Sequence, residues 1–156
     1  MHCTVLLHNI RSVHNVGSIF RTADAAGVSN IILSGYTPTP LDRFGRDRKD
    51  FSKVSLGAEK TISWKYISSA TAAIRTLKKE AYTLIAIEQD PGATPLFTWK
   101  PARNKKCAIL LGNEVRGISK SLLKYADHIL EIPMRGKKES LNVSVAAGIA
   151  LFAILK

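Results

Sequence analysis

Three short polar segments carry side chains that a packed scaffold does not require. The first, SVHNVGSIFRTADAAG, holds Asn15 and Arg21. Arg21 falls on the polar face of an otherwise core-facing helix, one turn from Ser18 and near Asn15 at the helix start. The second, LLGNEVRGIS, sets Asn113, Glu114 and Arg116 between Gly112 and Gly117, directly after an apolar run. A strand that breaks into such a loop is where α/β proteins hold ligands. The loop has neither the G-x-G-x-x-G spacing of a dinucleotide site nor the G-K-[ST] ending of a phosphate loop. The third, IPMRGKKESLNVSVAAG, puts Ser140 and Asn142 where an apolar helix begins. Free backbone N–H groups at a helix start bind anions and polar ligand groups. Each segment also has a plain structural use. Asn15 can cap a helix with Arg21 a solvated charge; the glycine loop can be an ordinary turn with Ser119 capping the next helix. Ser140 or Asn142 can cap the last helix.

Charge narrows the partner. The chain carries a formal net charge of +11, which suits a polyanion, most simply nucleic acid. The cations cluster in loop-like segments: Arg43, Arg46, Arg48 and Lys49 in RFGRDRK, Arg103, Lys105 and Lys106 in KPARNKK, and Lys137 and Lys138 in RGKK. With Arg116 these form the expected footprint for RNA or DNA. Other classes are disfavoured. The apolar stretch Val143–Leu155 is interrupted by Ser144 and Gly148 and falls short of the roughly 20 residues of a membrane span. The first residues, MHCTVLLHNIRS, do not read as a signal peptide. Cys3 and Cys107 sit in apolar runs and read as reduced core residues of a cytoplasmic protein. His2, His8, His14 and His128 lack metal-ligand spacing, so no metal is expected.

These segments need a scaffold to bring them together. Apolar runs at 4–7, 30–33, 82–87, 107–111 and 128–132, with a weaker one near 61–66, predict strands. Most are continuously apolar, as in a sheet covered on both faces. Helices are predicted between them. In 15–26, Val16, Ile19, Phe20, Ala23 and Ala26 share one face, Asn15, Ser18, Arg21, Thr22 and Ala25 the other, and Gly27 ends the helix. Further helices are expected at 68–80, at 119–126 and from about Asn142. The last is apolar nearly all round and needs cover on most sides: the sheet on one, a second subunit on another. Alternating strands and helices predict one α/β domain over residues 1–156, with a mainly parallel sheet and helices on both faces.

Taken together and in this order, NVGSIFRTADAAGV, LLGNEVRGIS and IPMRGKKESLNVSVAAGIA closely resemble the three motifs of the SPOUT-class RNA methyltransferases, in their SpoU/TrmH branch. KVSLGAE at 53–59 is similar to the segment between the first and second of them. The resemblance runs from about Asn9 to the C-terminus.

It implies a fold whose C-terminal segment is threaded into a deep trefoil knot, a device nearly absent from proteins otherwise. It implies S-adenosylmethionine as cofactor, lined by Leu111, Gly112, Asn113, Gly117, Ile132, Met134, Ser140 and Leu141. The implied reaction is methyl transfer to a ribose 2′-hydroxyl of RNA. By motif position Arg21, Asn15, Glu114, Ser140 and Asn142 form the active site. Arg21 is the family's key residue and has been proposed as a general base. A guanidinium keeps its proton in proteins, which favours a clamp on phosphate and developing charge instead. Asn15, Ser140 and Asn142 are expected to orient the ribose or Arg21, and Glu114 to order the loop. The resemblance implies a homodimer in which Arg21 works with cofactor held by the neighbouring subunit. Larger relatives carry added RNA-binding domains; here the basic loops are expected to do that work. The small size points to tRNA, with rRNA as the alternative. A base methyltransferase or an inactive RNA-binding protein of the same fold are the competing readings.

Overall fold

The computed structural model describes residues 2–101 and 106–155. Its strands are β1 (Cys3–His8), β2 (Asn30–Ser34), β3 (Ser63–Tyr66), β4 (Thr83–Ile87), β5 (Thr94–Pro95), β6 (Cys107–Leu111) and β7 (His128–Glu131). They form one sheet in the order β3-β2-β1-β6-β4-β7-β5, and each pairing is parallel. The helices are α1 (Val13–Ala25), α2 (Lys49–Ser55), α3 (Ala58–Thr61), α4 (Ala70–Lys79), α5 (Lys120–Leu123) and α6 (Val143–Ile154).

The continuous apolar runs become strands because both of their faces are buried. Successive side chains point to opposite faces. Val5, Leu7, Ile31, Leu33, Ile109 and Leu111 therefore enter one core, with Phe20 of α1, Phe51 of α2 and Leu151 of α6. Leu6, Ile32, Leu84, Ala108 and Leu110 enter the other, with Ile74 and Leu77 of α4 and Leu122 of α5. Cys3 lies opposite Cys107 across β1 and β6. Contact with Cys107 and then burial push the Cys3 thiol well above its ordinary range, so it stays protonated and unreactive.

The start of α1 differs from expectation. Its cap is Ser12, whose hydroxyl accepts from the Asn15 N–H. Asn15 is thus inside the helix and only 7% exposed; it does not share the solvent face of Arg21. Two helices and a strand were not anticipated. Around α2 the charged residues of 42–50 hide the apolar signal of Phe51, which packs edge-on against Phe20 with ring centres 5.1 Å apart. The left-handed Leu56 and Gly57 then separate α2 from α3. Helix α5 is shorter than the predicted 119–126.

Helix α6 begins at the Asn142 cap. Val143, Ala147, Ala150, Leu151 and Ile154 are buried, whereas Val145 and Phe152 are 50% and 57% exposed. One face of α6 thus packs on the sheet layer, and apolar side chains on another remain open.

The site follows from the topology. The helix after β1 packs on one face of the sheet, and the segment after β6 packs on the other. Neighbouring β1 and β6 therefore send their chains apart at their carboxyl ends. That divergence opens a crevice where ligands bind in parallel sheets.

Candidate active site at the carboxyl ends of the strands

The loop after β6 is held in shape by its own polar groups. Asn113 N–H donates to the Gly117 carbonyl at 3.2 Å, and Gly117 N–H returns to the Asn113 carbonyl at 2.9 Å. The Asn113 side-chain oxygen accepts from Val115 N–H at 3.0 Å and Arg116 N–H at 2.8 Å. Its amide donates to the Asn9 carbonyl at 2.9 Å and the Tyr36 hydroxyl at 3.0 Å. Gly117 has φ +65°, and a Cβ there would run into the Glu88 carboxylate. A Cβ on Gly112 would sit 2.6 Å from the Gly117 carbonyl oxygen. Both glycines are required for close approach.

Glu114 ties this loop to α1. Its Oε1 accepts from Arg11 N–H at 3.1 Å, Ser12 N–H at 3.1 Å and Asn15 Nδ2 at 3.2 Å. The Asn15 side-chain oxygen in turn accepts from Asn142 Nδ2 at 3.1 Å. One chain of hydrogen bonds thus links all three polar segments. Burial pushes the Glu114 carboxyl up, but N–H donors from Arg11, Glu114 itself, Ser12 and Asn15 outweigh it and hold it below its ordinary value. A carboxylate so depressed stabilises the fold above its unfolded pKa, and that contribution is lost as pH falls through the folded one. Glu114→Gln is therefore expected to cost about 1 kcal/mol near neutral pH, roughly 2–4 °C in Tm for a chain of this size. The gap from wild type should narrow below about pH 4.3, as thermal unfolding across pH will show.

A cavity of about 360 Å³ opens beside this network. Leu111, Gly112, Asn113, Gly117, Ile132, Met134, Ser140 and Leu141 all line it, as do Glu114 and Arg116. Its walls come from the segments after β4, β6 and β7 and from the first turns of α6. Ile87, Glu88, Gln89, Glu139, Val143 and Ala146 also line it, and these were not anticipated. Glu88 is structural to the loop: it accepts from Ile118 N–H at 2.8 Å and Gln89 N–H at 2.9 Å. Gln89 Nε2 donates to the Glu139 carbonyl at 2.6 Å, joining the β4 loop to the segment before α6. The signal was present, since the apolar run of β4 breaks into Glu88-Gln89-Asp90 just as that of β6 breaks into Gly112-Asn113-Glu114.

Arg21 stands apart from the cavity. It is six residues beyond Asn15, roughly 9 Å along the helix and on another face. It lies in a second, open groove with His14, Ser18, Thr22, Asp50, Lys53, Leu56 and Phe152. The structure thus brings Asn15, Glu114 and Asn142 together and places Ser140 at the cavity. It does not bring Arg21 to them within one chain.

The cationic residues are distributed unevenly. Arg46 pairs with Asp42 and Arg48 with Asp50, each at 2.8 Å. Lys49, Arg116, Lys137 and Lys138 are exposed. Lys106 Nζ lies 3.4 Å from the Glu80 carbonyl. Arg43 reaches over the Phe44 ring. Arg103 and Lys105 lie outside the described residues.

Comparison with known proteins identifies the family. The model of the SpoU rRNA Methylase family matches residues 2–152. The "uncharacterized tRNA/rRNA methyltransferase MG252 homolog" of Mycoplasma pneumoniae is 35% identical over 148 residues, covering 95% of this chain and 58% of its own. The 23S rRNA (guanosine-2'-O-)-methyltransferase RlmB of Salmonella typhi is 30% identical over 152 residues, covering 97% and 59%. The AdoMet-bound rRNA methyltransferase of Sinorhizobium meliloti superposes with TM-score 0.87 at 30% identity, covering 97% of this chain and 55% of that one. The chain thus spans less than two thirds of the length of these relatives. With the family model matched across nearly its whole length, this chain belongs to the SpoU rRNA methylase family.

Proposed function

We propose that the protein is an S-adenosylmethionine-dependent methyltransferase acting on the ribose 2′-hydroxyl of RNA. The observation that carries this reading is the cavity at the carboxyl ends of β4, β6 and β7, joined through Glu114, Asn15 and Asn142 to α1. Its size is within the range of small-molecule sites, roughly 300–1,000 Å³. The lining suits the cofactor: the Gly112–Gly117 cradle admits close backbone approach, and Leu111, Ile132, Met134 and Val143 offer apolar cover for an adenine ring. When bound there, S-adenosylmethionine supplies an electrophilic methyl group.

The protein's task is to position a weakly acidic alcohol and stabilise the charge it develops. The hydroxyl proton leaves to solvent at the open groove, where Arg21 holds the neighbouring phosphate and the charge on the 2′-oxygen. Ser140 and Asn142 stand at the start of α6, next to the cavity, where they orient the ribose. Glu114 and Asn15 keep that helix start and the glycine loop in register. Because Arg21 is outside the cavity of its own chain, the working site is assembled between two subunits. The open apolar side chains Val145 and Phe152 of α6, with Leu56 beside the Arg21 groove, form the homodimer contact. The chain after β7 threads behind the loops of β4 and β6 as the trefoil knot of the family; the Gln89–Glu139 bond across these segments supports that path. A cytoplasmic location fits the protonated, buried Cys3 thiol.

The expected substrate class is tRNA, reached by Arg43, Arg46, Arg48, Lys49, Arg103, Lys105, Lys106, Arg116, Lys137 and Lys138. The second reading is rRNA, favoured by the name of the Salmonella relative. Incubation with labelled S-adenosylmethionine and separated tRNA and rRNA fractions, followed by digestion to nucleosides, tests both. Label in a 2′-O-methylnucleoside supports the activity, and the labelled fraction identifies the RNA. Label in a base would make the protein a base methyltransferase. No transfer would leave an RNA-binding protein.

A further inference from the structure

The loop between β2 and α2 presents an aromatic ring that the fold does not use. Phe44 is 66% exposed, at the tip of a turn closed by pairing of Leu41 with Asp47. The turn is shaped entirely without the ring. Asp42 accepts from the N–H groups of Phe44 at 2.8 Å and Arg46 at 3.0 Å. Asp42 N–H donates to the Arg46 carbonyl at 2.8 Å, and Gly45 N–H to the Asp42 carbonyl at 3.0 Å. Lys60 fixes the base of the turn through Asp47 at 3.3 Å. Two guanidinium groups flank the ring, Arg43 at 4.8 Å and Arg46 at 5.0 Å from its centre.

Electrostatics alone does not explain this loop. Between 42 and 50, four cationic side chains face three carboxylates, leaving little charge to grip phosphates. A solvent-facing ring with two guanidinium groups against it has the chemistry of a stacking platform. Unpaired bases stack on aromatic faces and on guanidinium planes, and a duplex keeps its bases inside. The loop also leads toward the proposed site: Arg48, just after it, pairs with Asp50, and Asp50 lines the groove that holds Arg21.

We propose that Phe44, with Arg43 and Arg46, stacks an unpaired base of the RNA substrate near the ribose that Arg21 serves. The proposal rests on the RNA-methyltransferase reading and adds to it that the target sits in a single-stranded region. The platform is pre-shaped by Asp42, so little ordering is lost on binding.

The test uses the full chain with a short unstructured single-stranded RNA and a blunt RNA duplex of equal length, read by fluorescence anisotropy. Phe44→Ala should weaken single-strand binding by at least about fivefold and leave duplex binding unchanged. The salt dependence should also stay the same, because no phosphate contact is lost. Phe44→Trp should restore the affinity. Unchanged single-strand binding, or an equal loss on both probes, would overturn the platform while methyl transfer by the wild type left the activity standing. A wild type that binds neither probe would also overturn the platform, and only the absence of methyl transfer to the RNA fractions would overturn the reading beneath it.

Discussion

Arg21→Ala should lower kcat for methyl transfer by at least about 100-fold, the scale of removing a donor aimed at developing transition-state charge. Affinity for S-adenosylmethionine should stay nearly unchanged. The two effects separate because of where Arg21 stands. It is on the exposed side of α1, in the groove with Ser18, Asp50 and Lys53, whereas the proposed cofactor cavity is walled by residues after β4, β6 and β7. Among the described residues, the groups that tie α1 to the cavity loop through Glu114 come from Ser12 and Asn15 near the helix start, not from Arg21. Turnover measured with labelled cofactor, beside cofactor affinity by calorimetry, checks both halves. A large loss of cofactor affinity would contradict the role given to Arg21. Arg21→Lys sharpens the test, since a lysine keeps the charge but loses the two-pronged grip on a phosphate. If the fork matters more than the charge, lysine recovers little of the lost rate.

What was legible in the sequence, and what was not, follows from the range of the interactions involved. The strands at 4–7, 30–33 and 107–111 were legible because burial on both faces leaves a local mark, a run of apolar residues. The cavity-lining set was legible only through the resemblance of LLGNEVRGIS and IPMRGKKESLNVSVAAGIA to the family motifs; the residues alone marked the glycine loop as a ligand turn and gave no reason to single out Met134. Asn15 was misplaced because residue type alone made it a cap; Ser12 takes that role while Glu114, 99 residues away in sequence, draws the asparagine inward. Glu88 was missed for a similar reason, since its partner Ile118 is 30 residues off and a carboxylate after a strand looks like any turn. The basic loop at 43–49 was legible as charge, but its neutralising carboxylates were discounted, which hid Phe44 as the distinctive group. The separation of Arg21 from the cavity could not be inferred from spacing. Helical periodicity placed Asn15 and Arg21 on one face, while the structure buries the first and exposes the second.

Gly112→Ala is expected to lose cofactor binding while leaving Arg21 intact, the converse defect. Its Cβ would lie 2.6 Å from the Gly117 carbonyl oxygen and from Ile118 Cγ1. The oxygen belongs to a turn fixed by Asn113 and backed by Glu88, so it has little room to yield. Overpacking of this kind costs about 1–3 kcal/mol, or roughly 5- to 150-fold if borne by the bound state. Calorimetric titration with S-adenosylmethionine measures it. The pair of variants also decides whether the site is shared. At cofactor concentrations below the weakened Kd each is impaired alone, one lacking the arginine and the other the cradle. In an equal mixture of exchanging subunits, half the dimers are mixed, and each mixed dimer has one complete site if Arg21 serves the neighbouring cavity. Activity should then return to about a quarter of the wild-type value, as symmetry-related sites require. If Arg21 reaches the cavity of its own chain, no mixed dimer contains a complete site and the mixture stays impaired. Recovery would therefore place the arginine across the subunit boundary and give the exposed Phe152 side of α6 its occupant, a second copy of the chain.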